Sequence, residues 1–113
     1  MNKDFKLFTE EFKKWQAKFG LNGWRAYYRY MPIDGLYARM SPNLISMTVS
    51  VDLNSRLPEE SELFKDVKRS AKHEAIHLLL SRLEIYARNR YTNDTDITEA
   101  VEELVIKLEG LIK

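Results

Sequence analysis

The sequence predicts an α+β domain ordered helix, three strands, helix, helix, with a mostly antiparallel sheet. Three observations predict it. Phe5, Phe8, Phe12, Trp15 and Phe19 recur at steps of three and four, the spacing of one helix face. Ile45, Met47, Val49, Val51 and Leu53 alternate with Ser46, Thr48, Ser50 and Asp52, the period-two pattern of a strand with one buried and one wet face. Two further helix-period stretches close the chain on either side of a polar turn at 89–94.

Taken in order, the aromatic face belongs to a first helix that packs on the core and ends at Gly20, a C-cap residue. Residues 24–31 are rich in tyrosine and read as a strand. Asp34-Gly35 is a hairpin signal, so 36–40 is expected to return antiparallel to 24–31. Ser41-Pro42-Asn43 reads as a second turn before the strand at 45–53. A loop at 54–58 precedes a helix from about 61 to about 88, with Ile76, Leu79, Leu80 and Leu83 on its apolar face. The last helix starts at an Asp96 N-cap with Glu99 completing a capping box and runs to about Gly110. Its apolar face is Ile97, Ala100, Val101, Leu104, Val105 and Leu108.

A chain of 113 residues makes one domain, taken as 1–113, large enough to bury a core without staples. With no cysteine, disulfides, thiolate metal sites and cysteine nucleophiles are excluded. Two histidines limit any metal site to two imidazoles. A net charge of +1 argues against nucleic-acid binding by bulk charge. Lys13, Lys14, Lys18, Arg25 and Arg29, interleaved with Tyr27 and Tyr28, read as a solvated helix face and a strand edge. No run of about 18 apolar residues occurs, so no membrane span is expected. The first twelve residues mix lysine with acidic and aromatic residues, unlike a signal peptide, and the expected location is the cytoplasm. Charge is segregated: residues 1–40 hold eight basic and four acidic residues, and residues 91–113 hold two and six.

The string that carries chemistry is His73-Glu74-Ala75-Ile76-His77. Positions four apart on a helix leave the same face, so both imidazoles can reach one Zn²⁺ at about 2.0–2.1 Å. Glu74 lies about 100° round the helix from His73, placed to reach a water on that ion rather than the ion itself. This is the H-E-x-x-H arrangement of zinc hydrolases. A catalytic zinc takes three protein ligands and keeps one open position. With no histidine or cysteine left, the third ligand must be a carboxylate, and the acidic last helix offers Glu99, Glu102, Glu103 and Glu109. Glu102 borders the apolar face and is the expected ligand, with Glu103 in reserve. The 24 residues between His77 and Glu102 suffice to end one helix, turn and bring the next alongside.

This motif, followed by a glutamate-bearing helix, resembles the gluzincin zinc metallopeptidases. The short chain resembles their minimal forms, the minigluzincins, and the small metallopeptidases found in bacteriophage and prophage genomes. The similarity runs over most of the chain, but only residues 73–77 are specific. The third histidine and glycine of metzincins, the zinc ribbon of related zincins and an inverted H-x-x-E-H motif are all absent. Two gluzincin features also have no match: an aspartate that orients a histidine, and a further histidine for the oxyanion. The resemblance implies a zinc-dependent endopeptidase acting on a peptide or protein substrate. Glu74 would take a proton from the zinc-bound water and pass it to the leaving amine. It also implies a second oxyanion donor, for which Tyr86, Tyr91 and the strand tyrosines are candidates. An edge strand, 36–40 or 44–53, would pair with the substrate. A non-catalytic zinc-binding module acting by protein–protein interaction is the alternative that the small size suggests.

Overall fold

The computed structural model describes residues 3–56 and 67–111. Within them the order is α1 (Lys3–Lys18), β1 (Arg25–Met31), β2 (Ala38–Asn43), β3 (Thr48–Asn54), α2 (Val67–Arg88) and α3 (Asp94–Glu109). The expected α+β arrangement is present, with one helix before the sheet and two after it. The expected helix start at about 61 and residues 57–58 of the expected loop lie outside the described residues. No helix among them is long and apolar enough to cross a membrane.

Phe8 and Phe12 drive α1 into the core, where both are fully buried. Phe12 meets Tyr28 edge-on and Phe5 stacks on Tyr30, so one aromatic face joins α1 to β1. Gly20 ends the turn after α1 at φ +70°, a conformation that side chains with a Cβ adopt at a cost. The Gln16 side chain then donates to the carbonyls of Leu21 and Trp24, at 3.0 and 2.8 Å, which fixes the entry into β1.

The sheet corrects the expected pairing. Its order is β1-β3-β2, with β1 parallel and β2 antiparallel to β3. The sheet is therefore mixed rather than mostly antiparallel, and Asp34-Gly35 does not close a hairpin. The dipeptide is still a bend, with Gly35 at φ +73°, but β3 lies between the strands it connects. Asn54 holds that connection: its amide donates to the carbonyls of Ile33 and Leu36 and accepts from the backbone N–H of Ile33 and Arg56. Four bonds satisfy a buried amide completely.

The hairpin in this fold is β2–β3. Ser41, Pro42 and Asn43, read as a turn, belong to β2, an edge strand where proline is tolerated. The turn falls instead at 44–47, so Ile45 and Met47 are not strand residues; Ile45 is 99% exposed and Met47 takes φ 55°. The alternation holds from Thr48 onward. Val49, Val51 and Leu53 are buried against the helices.

The other face of β3 is not simply wet. Asp52 is 0% exposed. Arg29 and Arg39 stand opposite it on the two flanking strands. Arg29 grips its two carboxylate oxygens through Nε and Nη2, both at 2.8 Å, and Arg39 Nε adds a bond of 2.9 Å. Burial pushes the Asp52 carboxyl up, but the two guanidinium partners outweigh it and hold it below the usual carboxylate range.

The helices bring two more corrections. The buried face of α2 is Val67, Ala71, Ala75, Leu78 and Leu79, while Ile76 and Leu80 are exposed. The N-cap of α3 is Asn93, not Asp96. Asn93 Oδ1 accepts from the Asp96 N–H at 2.9 Å, and Asp96 Oδ2 accepts from the Asn93 N–H at 3.4 Å. The same capping-box spacing occurs one turn earlier than expected. It wins by adding a turn with Asp94 and Asp96 at the positive end of the helix dipole.

Two stability predictions follow from these packing facts. Asp52→Asn should cost about 1.5–3 kcal/mol in denaturant unfolding at neutral pH, the scale of charge-assisted hydrogen bonds. The native carboxyl titrates below its unfolded value of about 3.9. The stability it contributes is therefore complete above that value and is lost as pH falls through the folded value. The wild type should weaken over that acid window, and the asparagine variant should show a shallower loss. Tyr28 is the opposite case: its buried hydroxyl has no hydrogen-bond partner among the described residues, and burial pushes its pKa up to about 12. Tyr28→Phe should leave the melting temperature unchanged or raise it, because an unsatisfied polar group is removed and the ring packing kept.

Candidate metal centre

Helix α2 serves two surfaces at once. Ala71, Ala75, Leu78 and Leu79 press into the core. About 100° per residue then carries His73 and His77 to a flank that faces β2. Between that flank and β2 lies a cleft of about 460 Å³. Leu36, Ala38, Met40 and Pro42 line one wall, and His73, Glu74, His77, Ser81, Glu84 and Ile85 line the other.

The two imidazoles are exposed at this cleft, with ring centroids 4.8 Å apart and planes at 73°. Their Nε2 atoms are 3.2 Å apart. Two nitrogens bound to one tetrahedral zinc at about 2.0–2.1 Å lie about 3.3–3.4 Å from each other. The pair thus stands within a few tenths of an ångström of the separation that two zinc ligands take. The same separation lets one ring donate to the other when one Nε2 is protonated.

Glu74 borders the same cleft but is only 8% exposed. Burial raises its pKa, against the smaller opposing pull of His77 and His73. A raised pKa makes the ionised carboxylate a stronger proton acceptor. His73, His77 and Glu74 are therefore brought together as their spacing implies.

Glu102 is not brought to them. It is exposed on α3 beside a separate depression lined by Arg82, Glu99, Glu103, Ile106 and Lys107. Glu103, the reserve, accepts from Arg82 Nη1 at 3.1 Å. Among the described residues no three histidine, aspartate or glutamate side chains form a group that could hold a metal. Glu99 is not needed in the capping box, which Asn93 and Asp96 form, but it stands with Glu102 rather than with the histidines.

The tyrosines expected as oxyanion donors do not line the cleft either. Tyr86 borders a different cavity with Trp24 and Glu103, and Tyr91 is 85% exposed. Tyr28 and Tyr30 pack on α1. Residues that sequence reasoning missed are Ser81 and Glu84. They continue the stripe 73, 77, 81, 84 at steps of four, four and three, so the helical spacing already carried that signal. Of the two strands offered for substrate pairing, β2 is an edge strand and borders the cleft, whereas β3 is central.

His73 and His77 stand close enough to share one ion, and among the described residues no third ligand stands beside them. Zinc titration followed by calorimetry should show one ion bound per wild-type chain and a loss of at least tenfold in affinity for His77→Ala. Glu102→Ala should bind zinc within about threefold of wild type. A larger loss would mean that α3 delivers its carboxylate to the ion when zinc is bound.

The chain matches no family model, no curated protein and no solved structure.

Proposed function

We propose that the chain is a zinc-dependent endopeptidase in which His73 and His77 hold the ion and Glu74 moves the proton. The observation that carries this reading is the 3.2 Å separation of the two Nε2 atoms beside a buried carboxylate, in a cleft bordered by an edge strand. When bound, zinc supplies Lewis acidity, lowering the pKa of a water towards about 7 and polarising the scissile carbonyl. Glu74 accepts the proton of the attacking water on a carboxylate oxygen and delivers it to the nitrogen of the leaving amine. The desolvation that raises its pKa suits it to both steps. The edge of β2 offers backbone N–H and C=O groups to an extended peptide or protein substrate. Leu36, Met40 and Ile85 give the substrate's side chains an apolar lining.

Glu102, the carboxylate expected from the sequence to complete the ligand set, stands apart from the histidines. Its position on another face supports the second reading, a zinc-binding module without catalysis that acts by protein–protein interaction.

The Glu74→Gln variant separates the two. For the endopeptidase, the variant should retain one zinc per chain by mass spectrometry and cleave a denatured-protein panel 10²–10⁴-fold more slowly, the usual contribution of a general base. Cleavage at the wild-type rate would remove Glu74 from the mechanism. Zinc binding with no Glu74-dependent cleavage across the panel would favour the module.

A further inference from the structure

Helix α3 leaves a large part of the apolar surface it carries exposed. Of its 16 residues only Ala100 and Leu104 are buried. Ile97, Val101, Val105 and Leu108 follow at steps of four, four and three, the spacing of one helix stripe. All four lie between 37% and 47% exposed. Single exposed apolar residues are ordinary, but a continuous stripe along a whole helix marks an interaction surface.

Charge says what fits it. At about 100° per residue, Glu102 and Glu109 fall on the outer edge of this stripe and Asp94 at its N-terminal end. Among the described residues, two cations near α3 lie on its other flank and are engaged. Arg82 donates to Glu103, and Lys107 Nζ donates to the Gly20 carbonyl at 2.8 Å. The stripe is thus apolar with an acidic rim.

A second copy of the chain matches this surface poorly. The helix carries six acidic residues and one lysine, so two α3 helices face to face would set like charges together. The basic helix α1 leaves no large hydrophobic residue exposed among the described residues, so it has no apolar face to offer.

We infer that the exposed stripe of α3 is the docking site for a basic amphipathic helix of another protein. The partner's apolar side chains cover Ile97, Val101, Val105 and Leu108, and its lysines or arginines meet Glu102, Glu109 and Asp94. This surface lies away from the histidine cleft and does not depend on zinc.

Two synthetic 18-residue amphipathic peptides with the same leucine stripe, one rimmed by lysine and one by glutamate, test the inference by fluorescence anisotropy with the full chain. The lysine peptide should bind at least tenfold more tightly than the glutamate peptide, and the difference should shrink at high salt. Val101→Asp should weaken the lysine peptide at least tenfold while circular dichroism and melting stay unchanged. Glu109→Lys, which leaves the apolar stripe intact, should weaken it as well and narrow the preference. Equal binding of the two peptides, binding of neither, or full binding by a folded Val101→Asp chain overturns the inference. So does a dimer in analytical ultracentrifugation that Val101→Asp dissolves, because the occupant is then a second copy.

Discussion

The central position of β3 is the constraint on which the rest of this structure depends. One face of the strand places Val49, Val51 and Leu53 beneath the helices. The other places Asp52 between Arg29 and Arg39, one from each neighbouring strand. A carboxylate with no solvent exposure is tolerable only because two guanidiniums satisfy it, and each pairing ties a flanking strand to the same register. The half-exposed arginines keep part of their hydration, so the cluster avoids the full desolvation cost of a buried ion pair.

That register sets the candidate site. With β3 in the middle, β2 becomes an edge strand, and the α2 flank carrying His73 and His77 lies across a cleft from it. The opposite side of α2 is occupied by core packing through Ala71, Ala75, Leu78 and Leu79. Small alanines at two of these positions let the helix sit close to its neighbours, while the bulkier Ile76 and Leu80 are left outside. Glu74 falls between the two environments. It is buried enough to feel desolvation and close enough to the cleft to act in it.

Helix α3 is the least committed element. It is tied to the body by Ala100, Leu104, the Arg82–Glu103 pair and the Lys107 contact with Gly20. Its remaining apolar stripe is partly open to solvent. This placement sends Glu102 to a face apart from the histidines, and it leaves a surface whose composition suits a basic partner helix.

The sequence by itself determined the local elements: the aromatic face of α1, the tyrosine-rich β1, the alternation from Thr48 to Leu53, and the helical spacing that puts His73 and His77 on one flank with Glu74 beside them. Each depends on periodicity and turn chemistry within a few residues, which the chain states directly. Only the tertiary structure decided what lies beside what. Asp34-Gly35 announces a bend, but whether the next strand pairs with the last depends on β3, which arrives later and inserts between them. A polar residue in an alternating strand reads as wet, and Asp52 is buried only because arginines 23 and 13 positions away in the chain converge on it. The wheel of α3 names an apolar face, but how much of it is covered depends on where the helix docks. That docking is a balance of long-range contacts with no local signature, and it also decides the place of Glu102.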